Sequence, residues 1–260
     1  WGMTGAAVAT VIGQAATFCV CLGYLVVKKQ KPDFRFGGRA FRFAGKTLLL
    51  GLSPFGLAFS PNFMLIFVNF SASAVGGQFA LNCFAPVSYA ISVVLLLLQG
   101  VSDGCRPLVS REFGSGSARG ARSVRNLAFA FALVVAAVCM AVMFAVRRDI
   151  SKVFGASDEV AAEVGNILPL FIAGFLFVGF SRIATAYFYA TGNTWRAYIV
   201  IYGEPLCLLV LLLILPNFMG ITGTWLSVPL SQASLAVVAF LLVFLYVRGQ
   251  RKREKNISTA

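Results

Sequence analysis

Histidine is missing from all 260 residues. Without it the chain has no imidazole base, no histidine metal ligand and no histidine proton relay, the roles that residue fills near neutral pH. Acidic residues are scarce, nine in total, and Glu204 is the sole carboxylate inside a long apolar run. No carboxylate pair lies in those runs and no serine has an evident base, so the chain is read as a non-enzyme. Six cysteines are present, but there is no Cys-x-x-Cys pair. All except Cys105 sit inside apolar runs and read as small core residues rather than disulfides or metal ligands. Charged residues make up only 12% of the chain, against about 25% in soluble domains.

Apolar residues fill that space, at 59% of the sequence. They fall in recurrent runs of the length, about 20 residues, that crosses a bilayer core of roughly 30 Å. A membrane β-barrel would show short alternating segments instead. The pattern predicts an all-α polytopic membrane protein with about seven spans, near residues 2–27, 44–70, 79–101, 126–146, 164–190, 197–215 and 223–247. Pro54 and Pro61 interrupt the second, Gly76 and Gly77 separate it from the third, and Pro216 closes the sixth. Ser157, followed by Asp158 and Glu159, reads as a helix N-cap with acids favoured by the dipole.

The net charge of +13 sits beside the spans, which argues for a lipid bilayer rather than nucleic acid as partner. Assigning loops to alternate sides puts 18 Lys and Arg on one side and three on the other, with Arg182 inside a span. The positive-inside rule makes the basic side cytoplasmic, and with it the basic tail at residues 248–260.

Residues 1–27 align without gaps on residues 219–245: Gly2, Thr4, Gly5, Gln14 and Ala15 fall on Gly220, Thr222, Gly223, Gln232 and Ala233. Duplicated halves are common in transporters. The repeat predicts that residues 1–30 are the last helix of a preceding N-terminal lobe absent from this sequence. Residues 31–46 would be a basic cytoplasmic inter-lobe loop, with Arg35, Arg39, Arg42 and Lys46. Residues 47–247 would be one complete six-helix C-terminal lobe.

The stretch from Gln99 to Gly116, with Gly100, Gly104 and Pro107 among charged residues, reads as a hairpin loop at a membrane surface. Its Gly100-Val-Ser-Asp-Gly-Cys-Arg-Pro-Leu-Val-Ser-Arg-Glu-Phe-Gly114 segment resembles the loop between the eighth and ninth helices of the multidrug and toxic compound extrusion (MATE) family. Further segments resemble that family in the right order. They are Gly51-Leu52-Ser53-Pro54, Asn69, Phe154 with Asp158-Glu159-Val160, Tyr187 through Asn193, and Leu215-Pro216 with Gly220 and Gly223-Thr224-Trp225-Leu226. The resemblance implies twelve helices in two six-helix lobes around a central cavity. It implies multidrug efflux by cation antiport in the bacterial inner membrane, driven by a proton or sodium gradient without a cofactor, on drug-like and often cationic small molecules. The chain looks more like the DinF or MepA-like branch than the sodium-coupled NorM branch, whose acidic residues would fall at Pro61 and Phe180. In the DinF branch the coupling Asp lies in the first helix, outside this sequence.

Ionisable residues inside spans are costly and so are candidates for function. Arg182 and Glu204, the latter beside the helix-weakening Pro205, are predicted to line the substrate or ion pathway, or else to pair with each other. Ser60, Asn62, Asn69, Tyr89 and Ser181 are further pathway candidates, with Asn82, Gln99 and Gln232 as other polar residues in spans. Phe55, Phe59 and Phe63 recur every four residues and suit apolar and cation–π contact. Two other readings stay open. One is a flippase for lipid-linked oligosaccharides from the same superfamily, favouring a cationic cavity. The other is a non-transporting half-transporter remnant.

Overall fold

The computed structural model describes residues 2–28, 38–153 and 155–258. Trp1, Lys29, Lys31, Arg35 and Phe154 lie outside the described residues. Helices account for nearly all of the rest: α1 (Gly2–Val27), α2 (Gly38–Gly114), α3 (Ala118–Ala145), α4 (Ile150–Val153), α5 (Asp158–Ile172), α6 (Phe175–Ala190), α7 (Thr194–Met219) and α8 (Ile221–Ser258). Residues 1–48 form one packing unit and residues 49–260 a second. The arms of α2 from residue 49 onward and helices α3 to α8 belong to the second.

Among the described residues five helices are long and apolar enough to cross a bilayer, and α5 with α6, bent by 40°, passes the same test as a sixth. The apolar part of α2, Phe55–Gly114, runs for 60 residues. Straight, it would measure roughly 90 Å, three times the bilayer core of about 30 Å. It is not straight. Gly77 takes φ 62 and ψ −155, a region essentially closed to residues with a side chain. There the chain folds back, so that Leu57 in the first arm and Asp103 in the second border one cavity.

The seven apolar runs all fall on helix, but several sequence boundaries need correction. Residues 99–114 are not a loop. They complete α2, and the turn to α3 is confined to residues 115–117, where Ser117 accepts a hydrogen bond from the Gly120 amide at 3.0 Å. Glycine in a helix costs only about 1 kcal/mol, and packing against the bundle outweighs it. Helix α2 likewise begins at Gly38, inside the segment read as an inter-lobe loop. The run at 164–190 is broken: Pro169 lies within α5, and the chain bends after Ile172. Pro216 does not close α7, which continues to Met219 before Gly220 turns at φ 58. The basic tail extends α8 to Ser258. The Ser157 cap is as read, accepting from the Val160 amide with Asp158 and Glu159 in the first turn.

Two buried clusters make up the core. One holds Val68, Phe84, Leu98, Val178, Leu208 and Val228, with Phe84 stacked on Trp225 at 5.6 Å between ring centroids. The other holds Leu57, Cys105, Ile183, Tyr187, Ile201 and Ala239. Their spacing along each helix leaves a layer between them. On α6 it contains Arg182, on α7 Glu204, on α8 Gln232, and on the arms of α2 Ser60 and Ser102. A polar layer thus crosses the bundle between two apolar ones.

Candidate functional site

Arg182 organises this layer. Its side chain is 7% exposed, and its Nη1 donates to the main-chain oxygen of Leu57 at 3.5 Å. Ser102 Oγ donates to the main-chain oxygen of Arg182 at 3.1 Å. One residue of α6 is therefore tied to both arms of α2. Arg182 lies eight residues from the end of α6 and Glu204 ten from the start of α7. At 1.5 Å per residue these are depths of roughly 12 and 15 Å, near the middle of the bilayer core.

Arg182 and Glu204 border one narrow cavity of about 70 Å³, with Ser88, Ser92 and Gln232 among apolar neighbours such as Met64 and Phe171. They do not close into an ion pair. The arginine attracts the carboxylate electrostatically across the cavity, in surroundings where charge is weakly screened. The Glu204 carboxyl borders the cavity without a hydrogen-bond or ion-pair partner among the described residues, an arrangement open to a small cation or a proton.

A second cavity of about 550 Å³ adjoins the first through Pro61, Ser92, Leu95 and Arg182. It extends along α2 to Gln99, Asp103 and Arg106. There Gln99 Nε2 donates to Asp103 Oδ1 at 3.0 Å, and Arg106 Nη1 lies 3.2 Å from the same oxygen. A polar track thus leads from the basic end of the lobe to Arg182 and Glu204.

The structure brings Arg182 and Glu204 to one cavity as the sequence suggests, with Gln232 beside them and Gln99 on the adjoining cavity, two of the polar span residues already named. The other candidates do not join them. Ser60 and Ser181 are buried near the layer, each with a hydroxyl lacking a hydrogen-bond partner among the described residues, yet neither lines these two cavities. Asn62 is exposed and donates to Ala58 of its own helix at 3.1 Å. Asn69 is half-buried and Tyr89 is exposed, both outside the cavities. Phe55, Phe59, Phe63 and Phe67 form an aromatic ladder with centroids 5.2, 4.8 and 5.8 Å apart, stacked at its two ends and edge-to-face between Phe59 and Phe63. They too stand outside the cavities.

Sequence reasoning missed Ser88, Ser92, Asp103 and Arg106. Their positions, with Leu95 and Gln99, recur every three or four residues and so mark one face of a helix. Reading residues 99–116 as a loop cut that stripe in half.

The MatE family model matches residues 57–211. The multidrug export protein MepA of Staphylococcus haemolyticus is 26% identical over 62% of this chain and 36% of its own length. That of Staphylococcus aureus is 23% identical over 94% of this chain and 54% of its own. The chain therefore spans about half the length of the latter. Among solved structures, an outward-facing multidrug resistance MATE family transporter of the MOP superfamily superposes with a TM-score of 0.86 at 16% identity, over 97% of this chain and 58% of that one. A MOP superfamily transporter from Pyrococcus furiosus, described as having a binding pocket of reversed polarity that suggests a different function, superposes with a TM-score of 0.80 at 17% identity, over 96% of this chain and 57% of that one. With the family match covering more than half of its residues, and with MepA proteins among its relatives, this multi-pass membrane chain belongs to the MatE family of transporters.

Proposed function

We propose that the chain forms one lobe of a bacterial inner-membrane multidrug exporter, with its basic face and C-terminus in the cytoplasm. A second lobe of similar build completes it. Export of organic, often cationic compounds is driven by counterflow of protons or sodium ions, and no cofactor takes part. The internal repeat and the half-length match to MepA support the two-lobe reading. The observation that carries coupling is the Glu204 carboxylate, held at mid-membrane depth beside Arg182 but outside an ion pair. A carboxylate so placed binds a cation or proton in one state and releases it in another, as the lobes rock between inward and outward states.

Arg182 and Arg106 favour a second reading. Both line the larger cavity, against the single carboxylate of Asp103, and this suits an anionic, lipid-linked substrate. The test is efflux of a fluorescent organic cation from cells expressing the whole polypeptide that contains this chain. Glu204→Gln, which mimics a permanently protonated side chain, lowers gradient-driven efflux at least tenfold under the export reading. Unchanged efflux at equal expression sinks coupling at Glu204, and absence of cation efflux even in the unaltered protein favours the anionic substrate.

A further inference from the structure

On α3, α6 and α8 lies a groove of about 540 Å³ that shares no lining residue with the two cavities above. Its size falls in the range of small-molecule sites, about 300–1,000 Å³. Its wall is aromatic: Phe129 stacks on Phe180 at 4.5 Å, and Phe180 meets Phe240 at 6.2 Å. Val243 and Val247 continue the apolar lining. One end differs, for Arg125 and Arg248 stand there, at the basic face of the lobe. Along α8 the distance from Phe240 to Arg248 is eight residues, roughly 12 Å. The groove is thus apolar where it lies at hydrocarbon depth and cationic where it reaches the interface.

Arg125 is held in place. Its Nε and Nη2 donate to Asn126 Oδ1 at 3.2 and 2.7 Å, and its guanidinium lies 4.8 Å from the Tyr187 ring and 5.9 Å from that of Phe129. A planar cation fixed in this way loses little freedom when it binds an oxyanion. No carboxylate lines the groove among the described residues, and the two arginines at its end repel an organic cation. The charge and the depth profile both fit an amphiphile with an anionic head and an apolar tail.

We propose that this groove binds an anionic phospholipid, with an acyl chain along Phe180, Phe240 and Val243 and the phosphate between Arg125 and Arg248. Basic pockets between helices on the cytoplasmic side recognise such headgroups in this way. The inference does not depend on what the transporter exports.

The test is native mass spectrometry of the purified full-length protein, titrated with phosphatidylglycerol or with phosphatidylcholine of the same acyl chains. Phosphatidylglycerol is expected to bind selectively. Arg248→Gln should weaken it about fivefold, the effect of one interfacial basic residue, and Arg125→Gln at least as much. Arg248 is exposed, so its substitution does not threaten folding, and Val247→Trp gives an independent check by filling the groove without changing charge. Arg111→Gln, on the same face but outside the groove, should leave binding intact. Equal retention of phosphatidylcholine overturns the proposal, as does an Arg111→Gln loss equal to that of Arg248→Gln. Displacement of the lipid by free glycerol phosphate would make the groove a soluble-anion site and overturn it too.

Discussion

Arg182 reaches from α6 to the main-chain oxygen of Leu57 on α2, while Glu204, bordering the same cavity from α7, stays outside an ion pair with it. At 3.5 Å that contact is long for a hydrogen bond, so the scaffold holds the arginine only weakly, and the carboxylate remains available. Removing one charge leaves the other in weakly screened surroundings, so the two substitutions should not add. Arg182→Met is expected to cost about 1–3 kcal/mol, since it strips a buried acceptor of its donor and Glu204 of its cation. Glu204→Gln added to it should recover about 1 kcal/mol. Thermal unfolding of the four proteins in detergent measures this coupling, and strict additivity would show that the two residues do not sense each other.

The bend between α5 and α6 supplies a second test. A Cβ built on Gly174 would overlap Gln232 Oε1 and come within 3.1 Å of the Phe171 carbonyl oxygen. Gln232, 6% exposed, thereby joins the bend to the Glu204 cavity, which it also lines. Gly174→Ala is expected to destabilise by about 1–2 kcal/mol, within the usual cost of overpacking. Gln232→Ala combined with it should return part of that loss by vacating the space. If Gly174→Ala unfolds at the same temperature as the unaltered protein, the close approach at the bend does not constrain it.

Hydropathy made the membrane class and the apolar passes legible in the sequence, because a span of about 20 apolar residues admits few other readings. The scarcity of charge inside spans singled out Arg182 and Glu204 for the same reason. Other features were illegible because they depend on tertiary contact. Gly100, Gly104 and Pro107 look like punctuation, yet packing carries helix α2 through them. The break in 164–190 was hidden because Pro169 and Gly174 resemble other tolerated interruptions, and the partner that fills the bend, Gln232, is 58 residues further along the chain. Small polar candidates such as Asn62 and Tyr89 fall outside these two cavities, because composition does not say which helix face they occupy.

Helix caps at the membrane surface offer a graded comparison. Ser117 accepts from the Gly120 amide at 3.0 Å, and Ser157 from the Val160 amide at 3.5 Å. The shorter bond lies within the ordinary range and the longer one outside it. Ser117→Ala should therefore cost about 1 kcal/mol, and Ser157→Ala less than half of that. Unfolding temperatures of the two variants decide the order, and a larger loss at Ser157 would show that bond length does not rank these caps.

Helix α2 contains two kinds of glycine. Gly77 adopts φ 62 and ψ −155, and a side chain there is strained by about 1–3 kcal/mol whatever room surrounds it. Gly100 sits in regular helix, with nothing within 4 Å of the place a methyl group would occupy, so alanine there should gain up to about 1 kcal/mol by raising helix propensity. Gly77→Ala is thus expected to lower folded yield and unfolding temperature, and Gly100→Ala to raise or preserve them. The contrast tests the architecture itself. Were residues 99–114 a surface loop, Gly100→Ala would bring no helical gain, and were the arms of α2 joined by a pliable linker, Gly77→Ala would be harmless. Opposite signs at these two positions, in one unfolding experiment on matched proteins, require the hairpin to turn at Gly77 and the helix to run on through Gly100.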